Sequence, residues 1–236
     1  MSRPFAVVLA LLVLSACGSS STTATPAAAP TPTPMAAAPL PAVPPSASPS
    51  ASPSPSAPAS PKVTGKYVFP VIGKASYAHT HHDYPASDII AACGLTAVAP
   101  VDGTVLEVTA VDTWTRKANL GATRGGLSVS ILGADGARYY LSHFSAIDAG
   151  IDPGARVTAG EPIAKVGRTG DAGACHVHFG LSPACANTGD WWTRRGTIYP
   201  WPYLDAWRAH KVKSPVAELA AWKAQHGCPS KPTVDP

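Results

Sequence analysis

Apolar and polar residues alternate along much of the second half of the chain, and this pattern predicts β-strands. Side chains alternate between the two faces of a strand, so a period close to two indicates strands with one buried face. Residues 95–111 follow this period around an Asp-Gly pair at 102–103, and residues 127–132 and 137–144 follow it around a second pair at 135–136. Because Asp-Gly between such runs is typical of tight turns, we predict a hairpin at each pair.

The remaining pattern predicts a mainly β fold class with little helix. Residues 152–170 contain regularly placed glycines and indicate several very short strands. Helical spacing is clear only in Val216–His226, where Ser214 suits the N-cap, Pro215 the first position and Gly227 the stop. We therefore expect a compact antiparallel β-sheet or barrel-like domain with a short C-terminal helix.

A segment crowded with aromatic residues, 191–207, lies between the predicted sheet and this helix. We interpret it as a C-terminal extension that packs on the sheet. The alternative is a role in stacking on a ligand.

The first 17 residues have the pattern of an export signal. Arg3 supplies the positive start, and the apolar run at 5–14 follows it. About ten apolar residues are too few to cross a hydrocarbon core of about 30 Å, so we expect cleavage and not a membrane span. Residues 14–17, Leu-Ser-Ala-Cys, resemble a bacterial lipobox, which makes Cys17 the expected lipidation site. The alternative is an ordinary signal peptide cut near the same place.

Residues 18–62 are almost entirely Ala, Pro, Ser and Thr, with no aromatic residue and no charge before Lys62. Such a segment cannot bury enough apolar surface to offset the entropy of ordering. As an extended Pro-rich chain it would reach up to roughly 140 Å, which suits a tether. A low-complexity segment with no spacing role has the same composition, so both interpretations stay open.

Charge and cysteine usage narrow the function classes. The formal net charge is +4 and only 14% of residues are charged, with no run of Lys or Arg, so we expect no nucleic-acid partner. After Cys17, an even number of cysteines remains in an exported chain, which favours two disulfides over metal binding: Cys93, Cys175, Cys185 and Cys228. An extended strand between Cys175 and Cys185 would separate their Cα atoms by far more than about 7 Å, which disfavours that pairing and leaves the other two connectivities open.

Histidines carry the candidate chemistry. Six of the eight fall into three clusters on predicted strands or strand ends, and the first cluster precedes an aspartate. Neutral imidazole and carboxylate suit zinc, and a catalytic zinc typically has three protein ligands and one open position. In the third cluster the two histidines are at i and i+2, so they share a strand face. The clusters are His79, His81 and His82 before Asp88; His143; and His176 with His178.

Ordered motifs across residues 66–183 resemble one known family. They are HHDYPASD, CGLTAVAPVDGTVLEV, YYLSHF, VTAGEPIAKVGRTG and CHVHFGLSP. Together they resemble the lysostaphin-type, or LytM-like, zinc metalloendopeptidases. The resemblance implies a duplicated hybrid motif fold with a groove and one Zn²⁺ per domain. It also implies His82, Asp88 and His178 as the metal ligands, with His143 and His176 as the non-ligand catalytic histidines.

The first motif departs from the family pattern. The family usually places three residues between its first His and Asp, whereas five separate His82 from Asp88. Tyr84 occupies the position of the usual ligand and is not a plausible ligand for zinc. His81 is the rival for the first ligand position, and His79 is a weaker one.

Tyrosines near these motifs are candidates for stabilising an oxyanion. Tyr77 lies just upstream of the first cluster, in a place similar to a tyrosine of the family, and Tyr140 is the alternative. Packing roles are the competing interpretation for both. The general base is expected to be His176 or His143, a role worth about a hundred- to ten-thousand-fold in rate.

The resemblance implies a zinc endopeptidase that hydrolyses peptide bonds of peptidoglycan, and the signal pattern and the cysteines agree with an exported protein. We expect a signal peptide at 1–17, a linker at 18–62, a metallopeptidase domain at 63–200 and a C-terminal extension at 201–236. The expected location is the outer face of the cell membrane, held by a lipid on Cys17. The alternatives are a non-catalytic relative that binds and activates a cell-wall amidase, and a peptidoglycan-binding module with structural zinc.

Overall fold

Two antiparallel sheets form the framework of the described residues. The structure, a computed structural model, describes residues 66–185 and 190–228, so the expected signal peptide and linker lie outside the described residues. Its strands are β1 Ala75–Ser76, β2 Ser87–Ala91, β3 Thr96–Val98, β4 Gly103–Thr109, β5 Leu127–Gly133, β6 Ala137–Phe144, β7 Ala146–Ile147, β8 Arg156–Val157, β9 Pro162–Lys165 and β10 His176–Pro183. The helices are a 3₁₀ turn at Gly121–Thr123, α1 Trp191–Arg194, α2 Trp201–Arg208 and α3 Val216–His226.

The predicted mainly β fold class is confirmed. Seven strands form a sheet in the order β1-β2-β10-β6-β5-β4-β8, and three form a second sheet in the order β3-β9-β7, with antiparallel pairing throughout the described strands. The predicted C-terminal helix is α3, although Pro215 is its N-cap and not its first residue. Helices α1 and α2 were not predicted.

One predicted hairpin is present and the other is wrong. Strands β5 and β6 pair directly, and Gly136 supplies a positive φ of 85° in the turn between them. Strands β3 and β4, in contrast, belong to different sheets. Asp102 lies between them and is held by two contacts: its carbonyl accepts from Ala134 N at 2.8 Å and its carboxylate from Ala159 N at 2.8 Å. The chain therefore crosses from one sheet to the other at the first Asp-Gly pair.

Strand β10 is central in the larger sheet and is buried along its whole length. Its odd-numbered residues Val177, Phe179 and Leu181 are fully buried in the hydrophobic core. The alternate positions include His176 and His178, which therefore share the opposite face, as the sequence predicts. His178 pairs in register with Asp88 on β2 and with Ser142 on β6.

Two disulfides settle the connectivity that the sequence left open. Cys93 is bonded to Cys175 and Cys185 to Cys228, with Cα–Cα distances of 5.3 and 5.6 Å. The disfavoured pairing of Cys175 with Cys185 does not occur. Because Cys93 follows β2 and Cys175 precedes β10, the first bridge joins the ends of the two strands that carry Asp88 and His178.

The C-terminal extension packs into the same core as the sheets. Tyr203, Leu204 and Trp207 of α2 are buried, and the Trp207 ring stacks on Tyr67 with centroids 5.4 Å apart. Trp207 also donates its indole N–H to the Lys213 carbonyl at 2.9 Å. The packing interpretation of the aromatic segment is thus confirmed for α2. Among the residues at 66–185 and 190–228, no helix is long and apolar enough to cross a membrane.

A buried ion pair holds the start of α1 against the larger sheet. Arg138 on β6 and Asp190, the N-cap of α1, are 3.3 Å apart, and both side chains are almost completely buried. Gly180 on β10 allows the other end of this segment to approach, because a Cβ there would collide with the Arg195 carbonyl. Residues 190–195 therefore lie directly against the strand that carries His176 and His178.

Candidate metal centre

His178 and Asp88 form the innermost pair of the candidate site. His178 Nε2 lies 2.8 Å from the Arg195 carbonyl, and His178 Nδ1 lies 3.1 Å from Asp88 Oδ1. A carbonyl oxygen can only accept, so Nε2 carries a proton, and Nδ1 is the ring atom that faces the carboxylate. A ring nitrogen and a carboxylate oxygen this close need a cation between them, which can be a proton or a metal ion.

Three further histidines also have one ring nitrogen at a backbone carbonyl, but in these rings it is Nδ1. His81 donates to Tyr84 O at 3.1 Å, His176 to Ala174 O at 2.8 Å and His143 to Thr169 O at 2.8 Å. The Nε2 atoms of His81 and His176 then face Asp88 Oδ1 at 3.6 and 3.7 Å. Backbone carbonyls that fix the tautomer and ring orientation are typical of metal-ligating and catalytic histidines.

A β-bulge turns His143 towards this cluster. The register between β5 and β6 shifts next to it, because Leu127 pairs with Phe144 while Ser128 pairs with Ser142. His143 is the extra residue, and its φ of 67° lies in the left-handed region that few residues other than glycine adopt. Its ring consequently stacks near His176, with centroids 4.5 Å apart. Strain of this kind is often found at functional sites.

The charges of the centre are set by burial and by these contacts. Burial alone would raise the pKa of Asp88, but hydrogen bonds from His178 and His81 outweigh burial and hold the pKa well below its usual range. Asp88 is therefore a carboxylate. Burial, aided by the neighbouring His178 and His176, lowers the pKa of His143 to about 3, so this imidazole is neutral at physiological pH. The centre thus combines a carboxylate anion at Asp88 with a neutral imidazole at His143.

His81 and His82, the two main candidates for the first ligand position, both lie near Asp88. One donor atom from each of His81, His82 and Asp88 falls within 4.8 Å of the others. The His81 side chain is only 5% exposed and is fixed through Tyr84 O, whereas His82 is exposed and, within the described residues, has no side-chain hydrogen bond. Burial and orientation favour His81, and the assignment of His82 stays a prediction. His79 instead faces Asp205 at 3.4 Å.

The two tyrosine candidates have different positions. Tyr77 donates its hydroxyl to Asp205 at 2.6 Å and lies outside the lining of the cleft. Tyr140 lines the cleft, with its ring 6.1 Å from that of His178. The structure therefore brings Tyr140, and not Tyr77, to the metal centre.

The cleft around these groups has a volume of about 350 Å³ and contains residues that the sequence interpretation missed. Its lining includes three side chains with no motif to mark them: Arg124, Arg194 and Arg195. Only the adjacent Arg-Arg pair within the aromatic segment was a visible signal, and that segment was interpreted as packing. Burial lowers the pKa of Arg195, whereas Tyr140 and Glu107 outweigh burial and raise the pKa of Arg194.

The donor set fits zinc. With bonds of about 2.0–2.1 Å, two ligand atoms of a tetrahedral zinc ion are about 3.3 Å apart. Asp88 Oδ1 is 3.1 Å from His178 Nδ1 and 3.6 Å from His81 Nε2. Imidazole nitrogen and carboxylate oxygen are also the donors that zinc commonly takes. Asp88 with a histidine at either distance therefore fits zinc, and the ligand set of Asp88, His178 and one histidine of the first cluster stays a prediction.

Comparison with known proteins links this region to a peptidase family. Residues 82–188 match the model of peptidase family M23, a stretch that includes Asp88, His143, His176 and His178 and ends before α1. No curated protein sequence matches the chain.

Solved structures with a similar fold include several peptidases. The catalytic domain of lysostaphin from Staphylococcus simulans is 23% identical, with a TM-score of 0.43, over 56% of this chain and 92% of that one. Full lysostaphin from the same organism is 21% identical, with a TM-score of 0.46, over 64% and 58%. A zinc-containing peptidase from Vibrio cholerae is 18% identical, with a TM-score of 0.37, over 49% and 36%.

Proposed function

We propose that this protein is a zinc metalloendopeptidase that hydrolyses peptide bonds of peptidoglycan. The observation that carries the proposal is the orientation of three imidazoles around Asp88. Each has one nitrogen fixed by a backbone carbonyl and the other directed at the same carboxylate oxygen. The match of residues 82–188 to peptidase family M23 supports the reaction class.

The proposed division of roles follows from position in the cleft. Asp88, His178 and either His81 or His82 would hold the ion. Bound zinc would polarise the substrate carbonyl and lower the pKa of a bound water to about 7. His176 and His143 remain beside the ion, since only one histidine of the β10 pair is needed as a ligand.

His176 and His143 are suited to accept and return a proton. Their Nδ1 hydrogens are donated to Ala174 O and Thr169 O, so Nε2 is the ring atom of each that can take up a proton. A general base positioned in this way contributes about 10²- to 10⁴-fold in rate. The Tyr140 hydroxyl, in the same cleft, is the candidate donor to a developing oxyanion.

Zinc content and the release of soluble muropeptides from isolated sacculi test this proposal. The purified full-length protein should contain one zinc and release muropeptides, and His176→Ala should keep the zinc and release none. Zinc without release in both proteins would contradict the proposal. A purified amidase added to the same sacculi would then distinguish an activator, which stimulates it, from a binding module, which does not.

We further propose that the protein is exported and anchored by a lipid on Cys17. The Leu-Ser-Ala-Cys pattern at 14–17 supports the anchor, and the Pro-rich residues 18–62 would let the domain reach up to roughly 140 Å into the wall. Metabolic labelling with a fatty-acid analogue should mark the wild-type protein and not Cys17→Ala. Equal labelling of the two would exclude this anchor.

A further inference from the structure

Two adjacent arginines at the end of α1 line the metal cleft, and their surroundings differ. Arg194 donates from Nη1 to Glu107 Oε2 at 2.9 Å, and its guanidinium lies 4.9 Å from the Tyr140 ring. This pairing explains why its pKa is raised in spite of burial. The charge of Arg194 is therefore balanced within the protein.

Arg195 is held in place but is not neutralised. Its guanidinium lies between two aromatic rings, 3.6 Å from the centroid of Tyr84 and 3.5 Å from that of Trp192. Within residues 66–185 and 190–228, no carboxylate oxygen lies within 4.0 Å of it. Asp83 acts on it only at longer range, and burial lowers its pKa. An arginine in this state favours an external anion.

The two rings leave only the edge of the Arg195 guanidinium for polar contacts, and Nε on that edge is buried without a hydrogen-bond partner. Aromatic rings cover the faces of the planar guanidinium, while its N–H groups point outwards in the plane and match a carboxylate in a bidentate pair. Stacking also fixes the side chain, so that little rotamer entropy remains to be lost on binding.

Two sets of contacts place Arg195 next to the candidate metal centre. The Tyr84 ring that it covers is 4.5 Å from the His81 ring and 5.8 Å from the His178 ring, by centroids. Its own backbone carbonyl accepts the His178 hydrogen bond. Arg124, held by Asn119 and also lining the cleft, adds positive charge to the same region. A peptide bound across the metal would pass next to the Arg195 guanidinium.

We propose that Arg195 binds a free carboxylate of the substrate beside the scissile bond, and so determines specificity. The inference rests on the proposed peptidoglycan peptidase function. It predicts a substrate in which a diamino acid or a terminal D-amino acid carries an unamidated carboxyl group. Uncharged bridges such as oligoglycine would be poor substrates.

Three versions of one synthetic stem-peptide cross-link test this specificity with the full-length, zinc-loaded protein. One has both carboxyl groups free, one has the terminal α-carboxyl as a carboxamide and one has the diamino-acid side-chain carboxyl as a carboxamide. We expect the wild type to have a kcat/KM about 10- to 100-fold higher for the free form than for one of the carboxamides, the range of a charge-assisted hydrogen bond. That carboxamide identifies which carboxylate Arg195 binds.

Variants of two arginines separate recognition from general charge. Arg195→Gln should lose the preference for the free form, with one zinc retained. Arg195→Lys keeps the charge but not the bidentate edge, and should keep part of the preference. Arg208→Gln is the matched control, because Arg208 also stacks on two rings, Phe69 and Tyr77, but lies outside the cleft. Arg208→Gln should keep the full preference.

Binding measured by calorimetry with the same three peptides separates the failure of this inference from the failure of the proposed function. If no peptide is cleaved but the wild type binds the free carboxylate at least tenfold more tightly than Arg195→Gln, the carboxylate site is correct and the peptidase function is wrong. Equal wild-type rates and affinities for all three peptides would overturn the inference. So would equal losses on all three in Arg195→Gln, or loss of the preference in Arg208→Gln.

Discussion

At the scale of single residues, the role of each histidine depends on which ring nitrogen is held by a backbone carbonyl and which one faces Asp88. His178 is tied through Nε2 and turns Nδ1 to Asp88, whereas His176 is tied through Nδ1 and turns Nε2 to it. The 3.1 Å and 3.7 Å distances to Asp88 Oδ1 separate the nearer ring from the farther one. Within the β10 pair, this difference favours His178 over His176 as the ligand.

Four substitutions test this division of roles. We expect His178→Ala and Asp88→Ala to lose zinc, since each removes a donor. His176→Ala and His143→Asn should keep it and lose about 10²- to 10⁴-fold in turnover, as expected for a general base. Asn is chosen at 143 because it tolerates the left-handed backbone there. Metal analysis and sacculus hydrolysis are the two measurements, and equal loss of zinc in all four variants would contradict the assignment.

The adjacent pair His81 and His82 decides both the first ligand and the kind of site. Because His81 is buried and oriented by Tyr84 O, we expect His81→Ala to release zinc and His82→Ala to retain it. Metal analysis of the two variants against wild type is the measurement. Retention in His81→Ala with release in His82→Ala would support the ligand predicted from the motif. Loss in both would indicate a closed site of four protein ligands, which is typical of structural zinc.

At the scale of elements, the candidate site combines parts that the sequence showed with parts that it did not. The spacing of His176 and His178 predicted a shared strand face because strand geometry is local. Helix α1 has only four residues and no side-chain N-cap hydrogen bond, so no local pattern marked it. Its position depends on Arg138, 52 residues before Asp190, and on the gap left by Gly180. Contacts so distant in sequence leave no periodic signal.

The buried pair that positions α1 should be important for stability and for the metal centre. Asp190→Ala removes the carboxylate from the buried Arg138 and should lower the free energy of unfolding by about 3–5 kcal/mol. Zinc affinity should fall as well, because α1 supplies the Arg195 carbonyl to His178.

Asp148→Ala is the control for Asp190→Ala, since it breaks the more exposed pair of Asp148 with Lys165. It should cost about 0–1 kcal/mol. Urea unfolding and zinc titration measure the two effects. Similar small losses in both variants would show that Asp190 does not hold α1 in place.

At the scale of the whole molecule, the fold class was predictable but the role of the C-terminal extension was only partly so. Alternation along residues 127–144 predicted a sheet, and the aromatic residues at 191–207 predicted packing. That the same segment would pack through Trp207 and also line the cleft through Arg195 was not predictable, since it depends on how the chain returns across β10. The crossing of the chain between sheets at Asp102 was missed for the same reason.

The extension should account for a substantial part of the stability. Trp207 is 1% exposed and its ring contacts Tyr67, Tyr139, Phe179 and Tyr203. Trp207→Ala should therefore lower the free energy of unfolding by about 3–5 kcal/mol. Tyr199→Ala, at a position that is 40% exposed in the same segment, should change it by less than about 0.5 kcal/mol. Urea unfolding compares them, and equal effects would show that the extension is peripheral to the core.

Because the Arg195 carbonyl orients His178, the candidate site can be completed only after Arg195 has been synthesised. Asp88 leaves the ribosome first, then His178, and Arg195 only afterwards. At about 5–20 residues per second, roughly 5–20 s separate the emergence of Asp88 from that of Arg195. A nascent or interrupted chain consequently carries the first donors without the group that orients the last one. Catalysis of the proposed kind would therefore begin only after Arg195 has been synthesised and its carbonyl has reached His178.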